Sequence, residues 1–223
     1  MTMRRAFDVE LDLLHHDIVT MGSTVCAALK TTFSALESRD IDLLMQVTTD
    51  DKKVNEMEKN IETRCLRLLM KQQPVVATDL RAVSATLKLT TDLERIGDQA
   101  QDIADIGLIF CGEKRFPLAV SEKMREMASV TIQMLEDAMT AMAGFDLALA
   151  KEVQSRDDQV DDLFVEVKEE LVRKLKADEG TADDVLDLMM ISKYLERIAD
   201  HSVNVCEWVE FFQTGTHQTT KIL

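Results

Sequence analysis

The chain has 223 residues, of which 46% are hydrophobic and 4% aromatic, and it contains 7 Gly and 2 Pro. Its formal net charge of −15 argues against binding to nucleic acid and against charge-driven docking on anionic lipid. Such a charge instead favours cations or basic protein surfaces as partners. Because Pro and Gly interrupt helices, their scarcity permits long ones, and frequent Leu, Ala, Met, Glu and Lys favour them.

Three helices are predicted in the first half of the sequence. The first covers residues 7–37, and Asp40 is a good N-cap for the second, which ends near Lys71. A loop follows over residues 72–78, and the third helix covers residues 79–110. Helices of roughly 25 to 35 residues, against a usual mean of about 11–12, indicate an elongated bundle.

The second half follows a connector at residues 111–116 and predicts three more helices. Their predicted ranges are 117–144, 146–179 and 181–212, and the tail at 213–223 is predicted to be frayed. The signals that start these helices are, in order, Pro117, Asp146 and the capping-box pair of Thr181 and Asp184.

The two halves read as copies of one unit. A shift of 106 positions aligns identical residues, among them Met21 with Met127, Asp40 with Asp146 and Asp51 with Asp157. A shift of 102 positions places the sequence LERIGD of residues 93–98 on the sequence LERIAD of residues 195–200. Chance rarely gives such a match in register. We therefore predict an all-α chain of two three-helix units, at residues 1–112 and 113–223.

Acidic and amide side chains recur four residues apart at matching places in both copies. This spacing places side chains on one helix face, which on the third helix lies opposite the apolar stripe. On the second helix the pair flanks the apolar stripe, so residues of neighbouring helices could meet at the bundle surface. These candidates are Glu94, Asp98, Asp102, Asp51 and Asn55 in the first copy, and Glu196, Asp200, Asn204, Asp157 and Asp161 in the second.

Two interpretations of this pattern are open. One is a solvated acidic face, although like charges four residues apart cost a helix about 0.2–0.5 kcal/mol per pair. The other is cation binding, which would convert the repulsion into coordination. Oxygen ligands suit Mg²⁺, Mn²⁺, Ca²⁺ or iron, and zinc is less natural without Cys or His.

Three basic side chains lie next to these carboxylates in the sequence. His201 follows Asp200 and is a further candidate ligand, although a lone histidine on a helix is more often a surface residue. Arg95 and Arg197 follow the two glutamates, and we expect them to pair with local acids and orient them. Phosphate binding by the two arginines is only weakly indicated.

The cysteines and the N-terminal segment bear on the cellular compartment. The four cysteines form no CxxC pair, and three lie in apolar helical patterns, which indicates core residues in a reducing compartment. Acidic residues interrupt the N-terminal segment, and no stretch is apolar enough to span a bilayer. We therefore expect a cytoplasmic protein that reaches a membrane only through partners.

With these motifs in hand, the chain resembles the PhoU family of accessory regulators of phosphate-specific transport. The resemblance covers residues 7–212. Its carriers are DKKVN at residues 51–55, LERIGDQA at residues 93–100 and YLERIADHSVN at residues 194–204. The resemblance implies two pseudo-symmetric three-helix bundles, a tandem repeat of the PhoU type, and often a homodimer.

The same resemblance implies metal ions, namely iron, manganese, magnesium or zinc, on the bundle surface. Its E(D)xxxD motif corresponds to Glu94 with Asp98 and to Glu196 with Asp200. Asp102 and Asn204 extend these motifs by one turn, while the facing helices would contribute Asp51, Asn55, Asp157 and Asp161. Asn55 and Asn204 replace acids, so each site has one charge fewer than a fully acidic version.

The implied function is regulation without catalysis. Such a protein links the ATPase subunit of the phosphate ABC transporter to a sensor histidine kinase and keeps the phosphate-starvation response off when phosphate is plentiful. The sequence shows no nucleophile–base set and no Gly-rich phosphate loop, which agrees with this role. Two alternatives are a metal-independent helical adaptor or chaperone-like protein, and a metal-dependent phosphohydrolase that uses the paired carboxylates.

Overall fold

The computed structural model describes residues 3–71, 76–112, 121–217 and 220–221. Its elements in chain order are α1 (Met3–Ser38), α2 (Ile41–Lys71), α3 (Ala77–Gly112), α4 (Glu122–Gly144), α5 (Leu147–Gln154), α6 (Asp157–Lys176), α7 (Ala182–Thr214), β1 (Thr216–His217) and β2 (Thr220–Lys221). The all-α prediction is confirmed. Most of the predicted loop at 72–78, most of the connector at 111–116 and the predicted start at Pro117 lie outside the described residues.

Helices α1, α2 and α3 form the first bundle because each buries one apolar stripe at helical spacing. These stripes include Leu14, Ile18 and Met21 on α1, Val54, Ile61 and Cys65 on α2, and Leu93, Ile96 and Ala100 on α3. Each Leu, Ile, Val or Met among them stabilises the fold by roughly 1.5–3 kcal/mol when fully buried. The predicted cap of α2 is confirmed, since Asp40 Oδ1 accepts a hydrogen bond from the Leu43 N–H at 3.1 Å.

Helices α4 to α7 form the second bundle, in which the prediction of one continuous fifth helix is wrong. The helix divides into α5 and α6 at Ser155 and Arg156. There the N–H groups of Arg156 and Gln159 bond to carbonyl oxygens three residues back, the tighter 3₁₀ pattern. The Arg156 side chain forms ion pairs with Asp137 of α4 and with Glu152. A local change of hydrogen bonding, without a Pro or Gly, therefore separates the two helices.

The remaining helix ends of the second bundle follow the sequence signals closely. Asp146 caps α5 by accepting from the Ala148 and Leu149 N–H groups, and Thr181 with Asp184 forms the predicted capping box. Helix α7 ends at Gly215, whose φ of 76° is a left-handed conformation that glycine adopts without strain. The prediction of a frayed tail is wrong at β1 and β2, which pair as a short antiparallel hairpin.

The two bundles share one core. Helix α3 packs against α7, and α1 packs against α4. At the second contact a Cβ on Gly22 would lie 1.9 Å from Met139 Cε, so a side chain there would displace Met139. One continuous set of buried apolar side chains includes residues from both bundles. We call the α3–α7 contact the seam, because it joins the two helices that carry the LERI motifs.

Candidate functional site

Carboxylates from two helices of the first bundle face one another between α2 and α3. We call this set the first acidic cluster: Asp51 and Glu58 from α2 with Glu94, Asp98 and Asp102 from α3. Asp51 is only 9% exposed, and a Cβ on Gly97 would lie 3.5 Å from its Oδ1 atom. Asn55 Nδ2 donates to Asp51 Oδ2 at 2.7 Å, whereas the buried Oδ1 atom has no hydrogen-bond partner among the described residues.

Burial and like charges both raise pKa values in this cluster. The pKa of Glu94 is raised to about 7, first by burial and then by the charges of Asp98 and Glu58. The pKa of Asp51 is raised by burial and next by the charge of Asp98. Burial is also the largest cause of the raised pKa of Asp98. These carboxylates therefore destabilise one another when all are ionised, which is the condition that a cation relieves.

The equivalent set in the second bundle lies between α6 and α7. We call it the second acidic cluster: Asp157 and Asp161 from α6 with Glu196 and Asp200 from α7. The pKa of Asp157 is raised to about 6 by burial and then by the charge of Asp200. Burial and Glu196 likewise raise the pKa values of Asp161 and Asp200, but here the ammonium of Lys193 opposes the rise.

Asn204 and His201 do not point into the second acidic cluster in the way that their sequence positions suggest. His201 Nδ1 lies 2.8 Å from Asp92 Oδ1, and Asn204 Nδ2 donates to the same oxygen at 3.1 Å. His201 is 8% exposed and Asp92 is 7% exposed, so the expectation of a surface histidine is wrong. The pair instead bonds α7 to α3 across the seam. The metal-ligand role assigned to Asn204 remains a prediction.

A second polar link crosses the seam at the position related by the repeat. Tyr194 of α7 lies beside Asp102 of α3: burial raises the pKa of the tyrosine, and the neighbouring Asp102 carboxylate raises it further. The 102-residue shift places Asp92 on Tyr194 and Asp102 on Asn204. Both links therefore pair the same two repeat positions, and in each link α3 supplies the aspartate and α7 the neutral side chain. Asn204 donates to Asp92 in one link, and Tyr194 lies beside Asp102 in the other.

A groove of about 720 Å³ lies along the seam and is lined from both halves. Its charged lining residues are Asp98, Asp102, Asp157 and Asp200 with Arg95 and Arg197. The charge of Arg95 lowers the pKa of Glu94, but by less than burial and the neighbouring carboxylates raise it. Gln99 forms part of the groove wall, and its buried Oε1 atom has no hydrogen-bond partner among the described residues.

The donor chemistry of the two clusters fits a hard cation. All ligand atoms are oxygens. Asp51 Oδ1 is a buried acceptor with no hydrogen-bond partner among the described residues, a state that costs about 1–3 kcal/mol. Within the described parts of the chain, no three His, Cys, Asp or Glu side chains stand together as a ready-made metal site. The carboxylates would therefore have to change rotamer to converge on one ion.

Sequence reasoning missed three functional side chains in this region. Glu58 joins the first cluster, and its position seven residues after Asp51, on the same helix face, was the available signal. Lys193 contacts Glu196, three residues later on α7, which the i,i+3 spacing could have indicated. Asp92 carried no such signal, because its partners lie in the other half of the sequence.

A family model described as the PhoU domain matches this chain twice, at residues 18–107 and 124–209. Each match falls within one of the two predicted units. Together they cover both acidic clusters, the groove and the seam.

Similar proteins and structures carry related names. The chain is 34% identical over 212 residues to a "Phosphate-specific transport system accessory protein PhoU homolog" of Clostridium acetobutylicum, covering 95% of this chain and 96% of that protein. It is 34% identical over 209 residues to the accessory protein PhoU of Escherichia coli, covering 94% and 86%. The crystal structure of PhoU from Pseudomonas aeruginosa matches with a TM-score of 0.89 at 34% identity, covering 94% of this chain and 100% of that one.

Proposed function

Because the chain belongs to the PhoU family, we propose that it regulates phosphate uptake and represses the phosphate-starvation response. The observation that carries the proposal is the doubled PhoU domain in a chain whose relatives are named accessory proteins of the phosphate-specific transport system. These names support a role in the regulation of phosphate transport. The solved relative from Streptococcus pneumoniae, with a TM-score of 0.86 and 27% identity, is named a phosphate transport system regulatory protein.

The partners in this proposal are the ATPase subunit of the phosphate ABC transporter and the sensor histidine kinase of the phosphate two-component system. The formal net charge of −15 favours basic surfaces on both partners. A homodimer and a cytoplasmic location belong to the same proposal. In the described part of the chain, no helix has the length and apolarity needed to cross a membrane.

The two acidic clusters are the proposed metal sites. In the first, Asp51, Glu94, Asp98 and Asp102 would hold the ion with help from Glu58, and Asn55 would orient Asp51 through its hydrogen bond. In the second, the ligands would be Asp157, Asp161, Glu196 and Asp200, with the amide oxygen of Asn204 as a further ligand, since its amide nitrogen is the atom that bonds to Asp92. A bound ion (iron, manganese, magnesium or zinc) would supply positive charge that neutralises these carboxylates and ties together the helices that carry them. The protein's own contribution is to hold the carboxylates close together, so that a cation would have several oxygen ligands within reach.

We propose that the chain is not an enzyme. The clusters lie on the bundle surface, whereas catalytic sites are usually enclosed pockets that exclude water. The phosphohydrolase alternative has one observation in its favour, because Arg95 and Arg197 share the seam groove with four aspartates. Turnover of a phosphate ester that depends on a divalent cation and disappears in Asp98→Asn would support that alternative.

The decisive experiment measures alkaline phosphatase activity in the source organism grown with excess phosphate. Deletion of the gene is expected to raise the activity, and the wild-type gene is expected to restore repression. Low activity in the deletion strain would contradict the proposed role as a repressor.

Complementation of the deletion strain with a variant gene distinguishes a metal-dependent regulator from a metal-independent adaptor. The double variant Asp98→Asn with Asp200→Asn is expected to restore repression poorly, since each bundle has lost one carboxylate. Full repression by this variant would instead favour the adaptor. Circular dichroism and protein abundance in the cell serve as controls for folding.

A further inference from the structure

A second groove lies between the N-terminal half of α1 and the C-terminal half of α2. It shares no residue with the acidic clusters and is lined in part by basic side chains. Its volume is about 610 Å³, within the range of about 300–1,000 Å³ that is typical of small-molecule sites. Three basic side chains, Arg64, Arg67 and Lys71, form its α2 wall. Their spacings of three and four residues place them on one helix face. In a chain with a net charge of −15, this is a local concentration of positive charge.

The protein neutralises the positive charge of the basic wall only in part. Arg64 Nη1 is buried and forms an ion pair with Asp17 Oδ2 at 3.0 Å, without a hydrogen bond to any described residue. Arg67 and Lys71 are exposed and form no ion pair with any residue that the structure describes. Attraction to the helix dipole accounts for a lysine in the last turn of α2 but not for Arg64, seven residues earlier. An oxyanion in the groove would use all three side chains.

The repeat supplies an internal comparison for this groove. The 106-residue shift places His16 and Thr20 of α1 and Asn60 and Arg64 of α2 on four glutamates in the second half: Glu122, Glu126, Glu166 and Glu170. At these positions of the second half, acidic and basic side chains of the protein pair with one another, as Lys123 does with Glu166 at 2.9 Å. A feature needed only for folding would be expected in both copies. Of the three basic positions, only Arg67 has a basic counterpart, Arg173, because the shift places Arg64 on Glu170 and Lys71 on Ala177.

The remaining walls restrict the ligand further. Glu10 and Asp17 on the α1 wall are acceptors, so they fit hydroxyl or amino groups and disfavour an ion that carries only negative charge. Met57, Ile61 and Leu68 supply an apolar floor. The groove is also far larger than a single phosphate ion. The ligand must combine an anionic end with hydrogen-bond donors and carbon atoms.

We propose that this groove binds a small organic phosphate ester that bears hydroxyl groups, the chemistry shared by nucleotides and sugar phosphates. The phosphate lies against Arg67 and Lys71, with Arg64 Nη1 as a further donor, because guanidinium and ammonium groups form charge-assisted hydrogen bonds to phosphate oxygens. The hydroxyl groups lie toward Asp17 and Glu10. The site shares no residue with the acidic clusters, and it does not depend on the proposed regulatory function.

Isothermal titration calorimetry of the full chain tests the proposal, with EDTA present so that no metal bridges the ligand to the acidic clusters. The probes are adenosine monophosphate, glucose 6-phosphate and inorganic phosphate, at an ionic strength of about 0.15 M, which screens the net charge beyond about 8 Å. At least one ester is expected to bind with a submillimolar Kd and more tightly than inorganic phosphate. Absence of ester binding up to about 10 mM, or equal binding of inorganic phosphate, would overturn the proposal.

Matched variants locate the binding. Arg67→Gln with Lys71→Gln is expected to weaken ester binding by about tenfold or more, because two charge-assisted contacts are lost. Arg173→Gln is the control, since the repeat places Arg173 on Arg67 but on the exposed surface of α6, near Glu169 at 3.9 Å. Unchanged affinity in the double variant, or an equal loss in the control, would show that the groove is not the site. The exchange of Arg67→Lys with Lys71→Arg keeps the charge and is expected to retain binding.

Discussion

The two acidic clusters come from one repeated unit but balance their charge differently. In the second cluster, Lys193 opposes the raised pKa values of Asp161 and Asp200 and lies 5.4 Å from the ring centroid of Phe164. The repeat places Thr91 at the position of Lys193 and Glu58 at that of Phe164. The first cluster therefore has an acid where the second has an aromatic ring, and a hydroxyl where the second has a cation.

This difference predicts that an external cation would stabilise the first half more than the second. In the second cluster, Lys193 of α7 neutralises part of the negative charge. The first cluster contains a glutamate whose pKa is raised to about 7 and a buried Asp51 oxygen that has no hydrogen-bond partner in the described part of the chain. The same motif, LERI followed by Gly or Ala and Asp, thus stands in two electrostatic settings. Experiments on matched positions can separate the motif from its setting.

The largest expected effect is at the seam. The repeat places Gln99 on His201, but His201 bonds to Asp92, whereas the buried oxygen of Gln99 has no hydrogen-bond partner among the described residues. His201→Leu removes a partner from the buried Asp92 carboxylate and should lower the free energy of unfolding by about 3 kcal/mol. Gln99→Leu, at the equivalent position, removes a buried oxygen that has no partner, so stability should stay within about 1 kcal/mol of the wild type. Urea unfolding at neutral pH measures both. Similar losses in the two variants would contradict the inferred asymmetry of the seam.

The next effect concerns cation binding. With free Mn²⁺ at about 100 times its Kd, the wild type should gain about 2.7 kcal/mol for each occupied site, and for a chain of this length each such gain corresponds to a rise in Tm of about 5–10 °C. Asp98→Asn should lose more of this gain than Asp200→Asn, because the first cluster has no lysine comparable to Lys193. Differential scanning calorimetry with Mn²⁺ and with EDTA provides the comparison. Identical melting temperatures in the two conditions would count against metal sites in either bundle.

A smaller effect is the pH dependence of stability in EDTA. Folding raises the pKa of Glu94 from 4.5 to about 7, so the folded protein binds this proton more tightly than the unfolded chain does. The resulting stabilisation is fully present below pH 4.5 and is lost as the pH rises through about 7. After a discount for solvent screening it should amount to about 1 kcal/mol. Urea unfolding across this pH range should show the decline in the wild type and a flatter profile in Glu94→Gln.

The smallest expected effect comes from moving the lysine between the halves. Thr91→Lys places an ammonium three residues before Glu94 and near Glu58, and it should raise stability in EDTA by about 0.3–0.5 kcal/mol. Lys193→Met should lower it by a similar amount, because Glu196 loses its ion pair. The thermal gain from Mn²⁺ should shrink in the first variant and grow in the second. Changes of the opposite sign would show that lysine does not substitute for the cation.

Much of the fold could be predicted from local signals. The caps at Asp40 and Asp146 and the capping box at Thr181 depend on side chains within three residues of the backbone groups that they bond, so the sequence alone contains them. The division of the predicted fifth helix could not be predicted, because it accompanies ion pairs of Arg156 that include a residue of another helix.

The candidate site shows the same division between local and long-range information. The spacing of four residues correctly predicted that Glu94 and Asp98 share one face of α3. In the structure this face lies near Asp51 of α2. The partner of His201 and Asn204 could not be predicted, because Asp92 is more than one hundred residues away in the chain and meets them only through the packing of α3 on α7. Contacts across the repeat require knowledge of how the copies pack.

At the seam both aspartates come from the first half and both neutral partners from the second, and this division constrains how the two copies can diverge. A molecule assembled from two first halves would set Asp92 of each copy against Asp102 of the other, two carboxylates in one contact. A molecule assembled from two second halves would set Tyr194 against Asn204 and lose the buried acid entirely. The seam surfaces of the two halves are therefore complementary to each other and not to themselves. Mispairing between halves of different chains is disfavoured, and substitutions on one side of the seam are constrained by the residue on the opposite side.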